Sequence, residues 1–131
     1  MKKILNLTQH PATPEQTVEG VVDLSPEGRS FISEWLTFVS VPTANDIHRM
    51  AELLANVAAG DSMAVPETTE AFRYAMIGGA PYLMSALENA LMERGITPMY
   101  AFSVRESAEV TLPDGTVKKT NVFKHAGWVQ V

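Results

Sequence analysis

Residues 4–16 read ILNLTQHPATPEQ and hold a strand, a polar connection and a helix start in direct succession. The apolar run that begins in KKILNL predicts a strand covered on both faces, as the strands of a parallel sheet are. Thr13, Pro14 and Gln16 predict a helix: Thr13 caps, Pro14 takes the first helical position, and Gln16 reaches back to the cap. Between them Asn6, Thr8, Gln9 and His10 carry hydrogen-bonding side chains, where a purely structural turn needs only Gly and Ser. In an open parallel sheet that end of a strand is where ligands bind.

Working outward, the same order repeats. Ser25 with Pro26 opens a second helix through Phe31, Ile32, Trp35 and Leu36, although WLTFVSV has strand character as well. Thr43 and Asp46 open a third, with Ile47, Met50, Ala51, Leu54 and Ala58 on one stripe and Gly60 as its stop. After an acidic stretch, DSMAVPETTE, the run FRYAMIGGAP predicts a strand that ends on Gly78 and Gly79, with Pro81 opening a helix lined by Leu83, Leu87 and Leu91 and closed at Gly95. ITPMYAFSV predicts a third strand, ending on Ser103, Arg105 and Glu106. Pro113-Asp114-Gly115 marks a hairpin turn, and AGWVQV adds a last strand. The expected fold is α/β: a three-layer Rossmann-like sandwich with a mainly parallel sheet and a C-terminal β-hairpin.

The 131 residues suit one domain, 1–131. A hydrophobic share of 46% against 19% charged is globular composition. The net charge of -5 disfavours duplex nucleic acid and anionic membranes as partners, while leaving room for a small anion in a local positive pocket. The chain has no Cys, which excludes disulfides, thiolate metal sites and a Cys nucleophile. No run approaches a membrane span or a signal peptide, so a cytoplasmic location is expected.

Three strand ends thus supply the candidate site. Asn6, Thr8 and Gln9 suit sugar hydroxyls or a base edge, or else satisfy loop backbone. Gly78 and Gly79 admit a ligand close to the backbone at a helix N-terminus, or else make a tight turn. Arg105 suits a bidentate contact to phosphate or carboxylate, or a surface ion pair. His10 is the acid–base candidate near neutral pH. Lys124 and His125 place positive groups either beside a ligand or on an edge strand, whereas His48 lies opposite its helix's apolar stripe. The three His lack metal-ligand spacing, so neither metal nor cofactor is expected. Met50, Met76, Met84, Met92 and Met99 read as core, Trp35 and Trp128 as buried anchors, the latter also suiting a subunit contact. No nucleophile elbow is present, and Ser103 has no evident His and acid partners, which disfavours acyl transfer.

Four segments, LNLTQHPATPEQ, YAMIGGAP, GITPMYAFSVRES and DGTVKKTNVFKHAGWVQV, together resemble the small CRISPR-associated Rossmann-like proteins grouped with the ring nucleases. That resemblance implies a CARF-like homodimer that binds cyclic oligoadenylate and cuts it without metal, by attack of a ribose 2'-hydroxyl on the adjacent phosphate. It places Asn6, Thr8, Gln9, His10, Gly78, Gly79, Ser103 and Arg105 where ligand contacts are expected, with Lys124 and His125 as second-rank candidates for neutralising phosphate; His10 and Arg105 are the catalytic candidates. The alternative is a non-catalytic module that binds a nucleotide or small anion and acts through a dimer interface.

Overall fold

The computed structural model describes residues 2–61 and 70–131, so most of the acidic stretch after the third predicted helix lies outside the described residues. Among the described residues five strands and four helices follow in the order β1 (Ile4–Asn6), α1 (Pro14–Val18), β2 (Val21–Val22), α2 (Pro26–Leu36), α3 (Ala44–Ala58), β3 (Tyr74–Met76), α4 (Pro81–Glu93), β4 (Thr97–Thr111) and β5 (Val117–Gln130). They form one mixed sheet in the order β2-β1-β3-β4-β5. β1 pairs in parallel with β2 and β3, and β3 with β4, while β4 and β5 form a long antiparallel hairpin.

Local chemistry sets the helix starts. Thr13 and Thr43 each make the reciprocal capping box, with Gln16 and Asp46, and Ser25 accepts from the Gly28 N–H. The α4 start is different: Ala80 caps it with no side-chain bond, and Pro81 follows. WLTFVSV resolves as the end of α2 and a connecting loop, because helical periodicity through Ile32 and Leu36 buries both side chains.

α2, α3 and α4 cover one face of the sheet, where Leu5, Leu7, Ala75 and Ile77 meet Ile32, Leu54, Leu83, Leu87 and Leu91 in the main core. Arg94 ties α4 to α3 through Glu52 and through Asn56, which accepts from Nε at 3.2 Å. The other face is small: Ile4, Val21, Met76 and Met99, packed by Ala12, Tyr74 and Trp128. Of the methionines read as core, Met76, Met84 and Met99 are buried and Met50 partly so, but Met92 is exposed on α4.

Two readings of the last third are corrected. β4 does not end at Ser103–Glu106 but runs on to Thr111, and AGWVQV is not a separate strand but the end of β5. Alternation of short apolar and polar residues carries the pairing past the point where helices stop covering it. A bulge interrupts the register where Phe102 faces Gly127 and Ser103 faces His125, leaving Ala126 without an opposite number. Bulges increase local twist, and here β5 curls back over the small face. The Trp128 indole N–H donates to Glu19 Oε2 at 2.6 Å, His125 Nε2 lies 3.0 Å from the same oxygen, and the His125 backbone N–H donates to Glu15 at 3.2 Å. Among the described residues no helix is long and apolar enough to cross a membrane.

Candidate functional site

In the strand order β2-β1-β3-β4-β5 the connections leave β1 toward opposite sides, so β1 and β3 flank the switch point where open α/β sheets bind ligands. A crevice of about 470 Å³ opens there, within the usual size of small-molecule sites. The loop after β1 contributes Thr8, Gln9, His10 and Pro11, the end of β3 contributes Met76, Ile77, Gly78 and Gly79, and Thr13, Gln16, Tyr100 and Ala101 complete the wall.

One buried side chain organises the first loop. Asn6 is 2% exposed. Its Nδ2 donates to the His10 carbonyl and to Asp23 Oδ1, both at 2.8 Å, and its Oδ1 accepts from the Thr8 N–H at 2.9 Å and the Thr8 hydroxyl at 2.6 Å. Asp23 in turn accepts the Ala12 N–H at 3.1 Å. The four bonds use both amide protons and both lone pairs of Asn6, so it orders the wall of the crevice and has nothing left to offer a ligand. Gln9 is steadied from the other side, donating to the Thr37 hydroxyl at 3.0 Å.

The floor is backbone. A Cβ at Gly78 would sit 3.7 Å from the Thr8 methyl, in ordinary contact, and would fill crevice space. Gly79 has φ +147°, a conformation that only glycine adopts without strain. Directly after it the first turn of α4, with no side chain on its N–H groups, presents the positive end of a thirteen-residue helix. At the rim the Tyr100 hydroxyl donates to Glu88 at 2.6 Å, and burial, the bond and the Glu88 charge together push the phenol well above its ordinary range.

The structure therefore brings together Thr8, Gln9, His10, Gly78 and Gly79 and leaves four candidates elsewhere. Ser103 and Arg105 lie on the hairpin beyond the bulge, where the Arg105 guanidinium stands 5.5 Å from the Phe123 ring centroid. Lys124 and His125 are adjacent in the strand and so face opposite sides. His125 is spent on Glu19, its hydrogen bond holding that carboxyl below the usual range against some desolvation, with Trp128 adding in the same direction. Sequence reasoning missed Tyr100 and Asp23. Tyr100 was hidden inside an apolar strand; Asp23, just after a strand of two residues, gave no periodic signal.

Among the described residues no Lys, Arg, Asp or Glu lines the crevice. Among the described residues no three His, Asp or Glu side chains gather as a metal site would require.

The model of the uncharacterized protein MJ1673 family matches residues 2–129, nearly the whole chain. The chain belongs to that family. The match takes in β1 to β4 and all but the last residue of β5, so crevice and hairpin lie within one family unit. No curated protein and no solved structure matches the chain.

Proposed function

We propose that the crevice binds a nucleotide-type ligand through a phosphodiester set against the N-terminus of α4, in a Rossmann-like manner. One observation carries the reading: at the β1/β3 switch point a glycine floor, which runs directly into the uncapped start of α4, and the Thr8-Gln9-His10 wall line one cavity. Backbone N–H groups would hold the phosphate oxygens, and Gln9 and the Thr8 hydroxyl would meet ribose or base edges.

The lining bears on the kind of ligand. Without Lys or Arg it suits one phosphodiester charge better than a triphosphate, and without carboxylates it offers a hard cation no ligands. Cyclic oligoadenylate, the ligand that the ring-nuclease resemblance implies, meets both conditions at each linkage. His10 is the side chain in the crevice suited to take the ribose 2'-hydroxyl proton as the 2'-oxygen attacks phosphorus and the P–O5' bond breaks, giving a 2',3'-cyclic phosphate and a 5'-hydroxyl. The absence of Arg from the wall favours the second reading, a module that binds the ligand without cutting it.

The deciding experiment incubates the protein with cyclic tetra-adenylate in excess chelator, follows the products by chromatography, and measures melting with and without the ligand. Binding at about 100 times the dissociation constant stabilises by about 2.7 kcal/mol, near 10 °C for a domain of this size. Linear product that disappears in His10→Ala supports the nuclease. A melting shift with an intact ring supports the module. No shift and no product rejects cyclic tetra-adenylate, and absence of any shift with mono- and dinucleotides rejects the proposal.

A further inference from the structure

We infer that the groove between the α2–α3 loop and the start of α4 seats a nucleobase of the crevice ligand, stacked on Tyr82, and that it favours purine over pyrimidine ligands. The inference rests on the reading of the crevice as a nucleotide site. The groove encloses about 540 Å³. Phe38 and Ile47, which also pack against the main core, line it together with Val39, Val41 and Tyr82. Val39 and Val41 are 98% and 93% exposed, and Tyr82 is 52% exposed.

Three features join the groove to the crevice. The Gln9 side-chain amide donates to the Thr37 hydroxyl at 3.0 Å, directly before Phe38 in the chain. Leu36 lies beside Gly79, its Cδ2 3.8 Å from where a Cβ on that glycine would sit. Tyr82 follows Gly79 by three residues, a backbone path of at most about 11 Å. The segment that floors the crevice therefore becomes a wall of the groove within the reach of one nucleotide. A phosphate at the start of α4 sets its base beside Tyr82.

The lining favours a base over other occupants. Among the described residues no Lys, Arg, Asp or Glu lines the groove, so it suits an uncharged group. The Phe38 and Tyr82 rings are tilted rather than stacked, with centroids 5.7 Å apart and planes at 58°, which leaves the half-exposed Tyr82 ring to take a planar partner. Every nucleobase offers such a face, and stacking strength rather than hydrogen bonding ranks them. Among the described residues the polar side-chain groups of the lining are the hydroxyls of Ser40 and Tyr82. A hydroxyl both donates and accepts, so neither tells adenine from guanine. The larger purine gains over a pyrimidine by contact area.

Titration calorimetry with the dinucleotides ApA, GpG and UpU, each carrying one phosphodiester charge, tests the inference. The parent should bind ApA and GpG alike and UpU about tenfold more weakly. Tyr82→Leu, which keeps an apolar side chain without a ring, should lose about tenfold for ApA and little for UpU, while Tyr82→Phe binds as the parent does. The adenine H2 and H8 resonances should move upfield on binding to the parent, a reading of ring contact that needs no variant. ApA binding equal in the parent and Tyr82→Leu, or a preference for UpU, overturns the inference and leaves the crevice reading standing. No binding of any of the three overturns both. Tyr82 signals that shift with protein concentration and not with ApA assign the groove to a protein contact and overturn the inference alone.

Discussion

The Trp128 indole N–H meets Glu19 Oε2 at 2.6 Å, and this bond fastens the end of β5 to the end of α1 at the far side of the sheet. His125 reaches the same oxygen because the bulge residue Ala126 restores it to the face of Trp128; the two rings stack edge to face with centroids 4.8 Å apart. On an unbulged strand, residues three apart face opposite sides.

The clasp has an acid limit. Glu19 is held below the ordinary carboxyl value of 4.5 by its bond from His125, with Trp128 adding to the effect. A carboxyl held low binds its proton less readily in the folded than in the unfolded chain. Its contribution is complete above the unfolded value and lost as pH falls through the folded one. Melting curves of the parent and Glu19→Gln should differ at pH 6 and draw together as the pH is taken well below the ordinary carboxyl value of 4.5, with the variant's Trp emission shifted to the red at pH 6; a gap that stays constant throughout the acid titration would count against the charge as the cause.

Asn6→Ala should cost about 3 kcal/mol in urea unfolding. It removes four bonds at a buried position and leaves the Thr8 N–H and an Asp23 oxygen short of a partner. A loss under about 1 kcal/mol would mean that water replaces the amide and that the loop does not depend on it.

Tyr100 sets an alkaline limit of opposite sign. Its phenol is raised by burial and by Glu88, so the folded chain holds that proton more tightly than the unfolded one. The stabilisation is full below the ordinary phenol value near 10 and declines as pH rises past it. Absorbance titration at 295 nm should show one of the three tyrosines ionising last, and Tyr100→Phe should delete that step and cost about 1 kcal/mol at neutral pH.

The two floor glycines should separate in stability measurements. Gly78→Ala meets only ordinary contact, so its unfolding free energy should change by less than about 1 kcal/mol. Gly79→Ala forces a side chain into φ +147° and should lose about 1–3 kcal/mol although Met84 and Leu36 leave it room. Equal losses would refute the assignment of strain to Gly79 alone.

Signals within a few residues of one another were the legible ones. Thr13 with Gln16, Thr43 with Asp46, the Gly60 and Gly95 stops, and the Asp114-Gly115 turn all act locally, and each marked its element from the sequence. The Thr8–His10 and Gly78–Gly79 parts of the crevice were legible for the same reason, since each sits next to a capped or Pro-led helix start. Long-range geometry was hidden. The strand of Val21 and Val22 is too short to show a period, the length of β4 is set by its partner strand, and Arg105 reads as a strand-end residue until pairing carries it along the hairpin. His125 looked like a surface cation because Glu19, its partner, is remote in the chain.

That remoteness has a kinetic meaning. Trp128 is made 109 residues after Glu19, so during synthesis the helices and the parallel strands exist before the clasp does. Contacts between segments so far apart close slowly. Until β5 arrives, Met76 and Met99 lack their cover and the edge of β4 stands unpaired. The hairpin is thus the last piece to be seated, and a nascent or shortened chain that lacks it exposes an apolar sheet face and an open edge of the kind that aggregates.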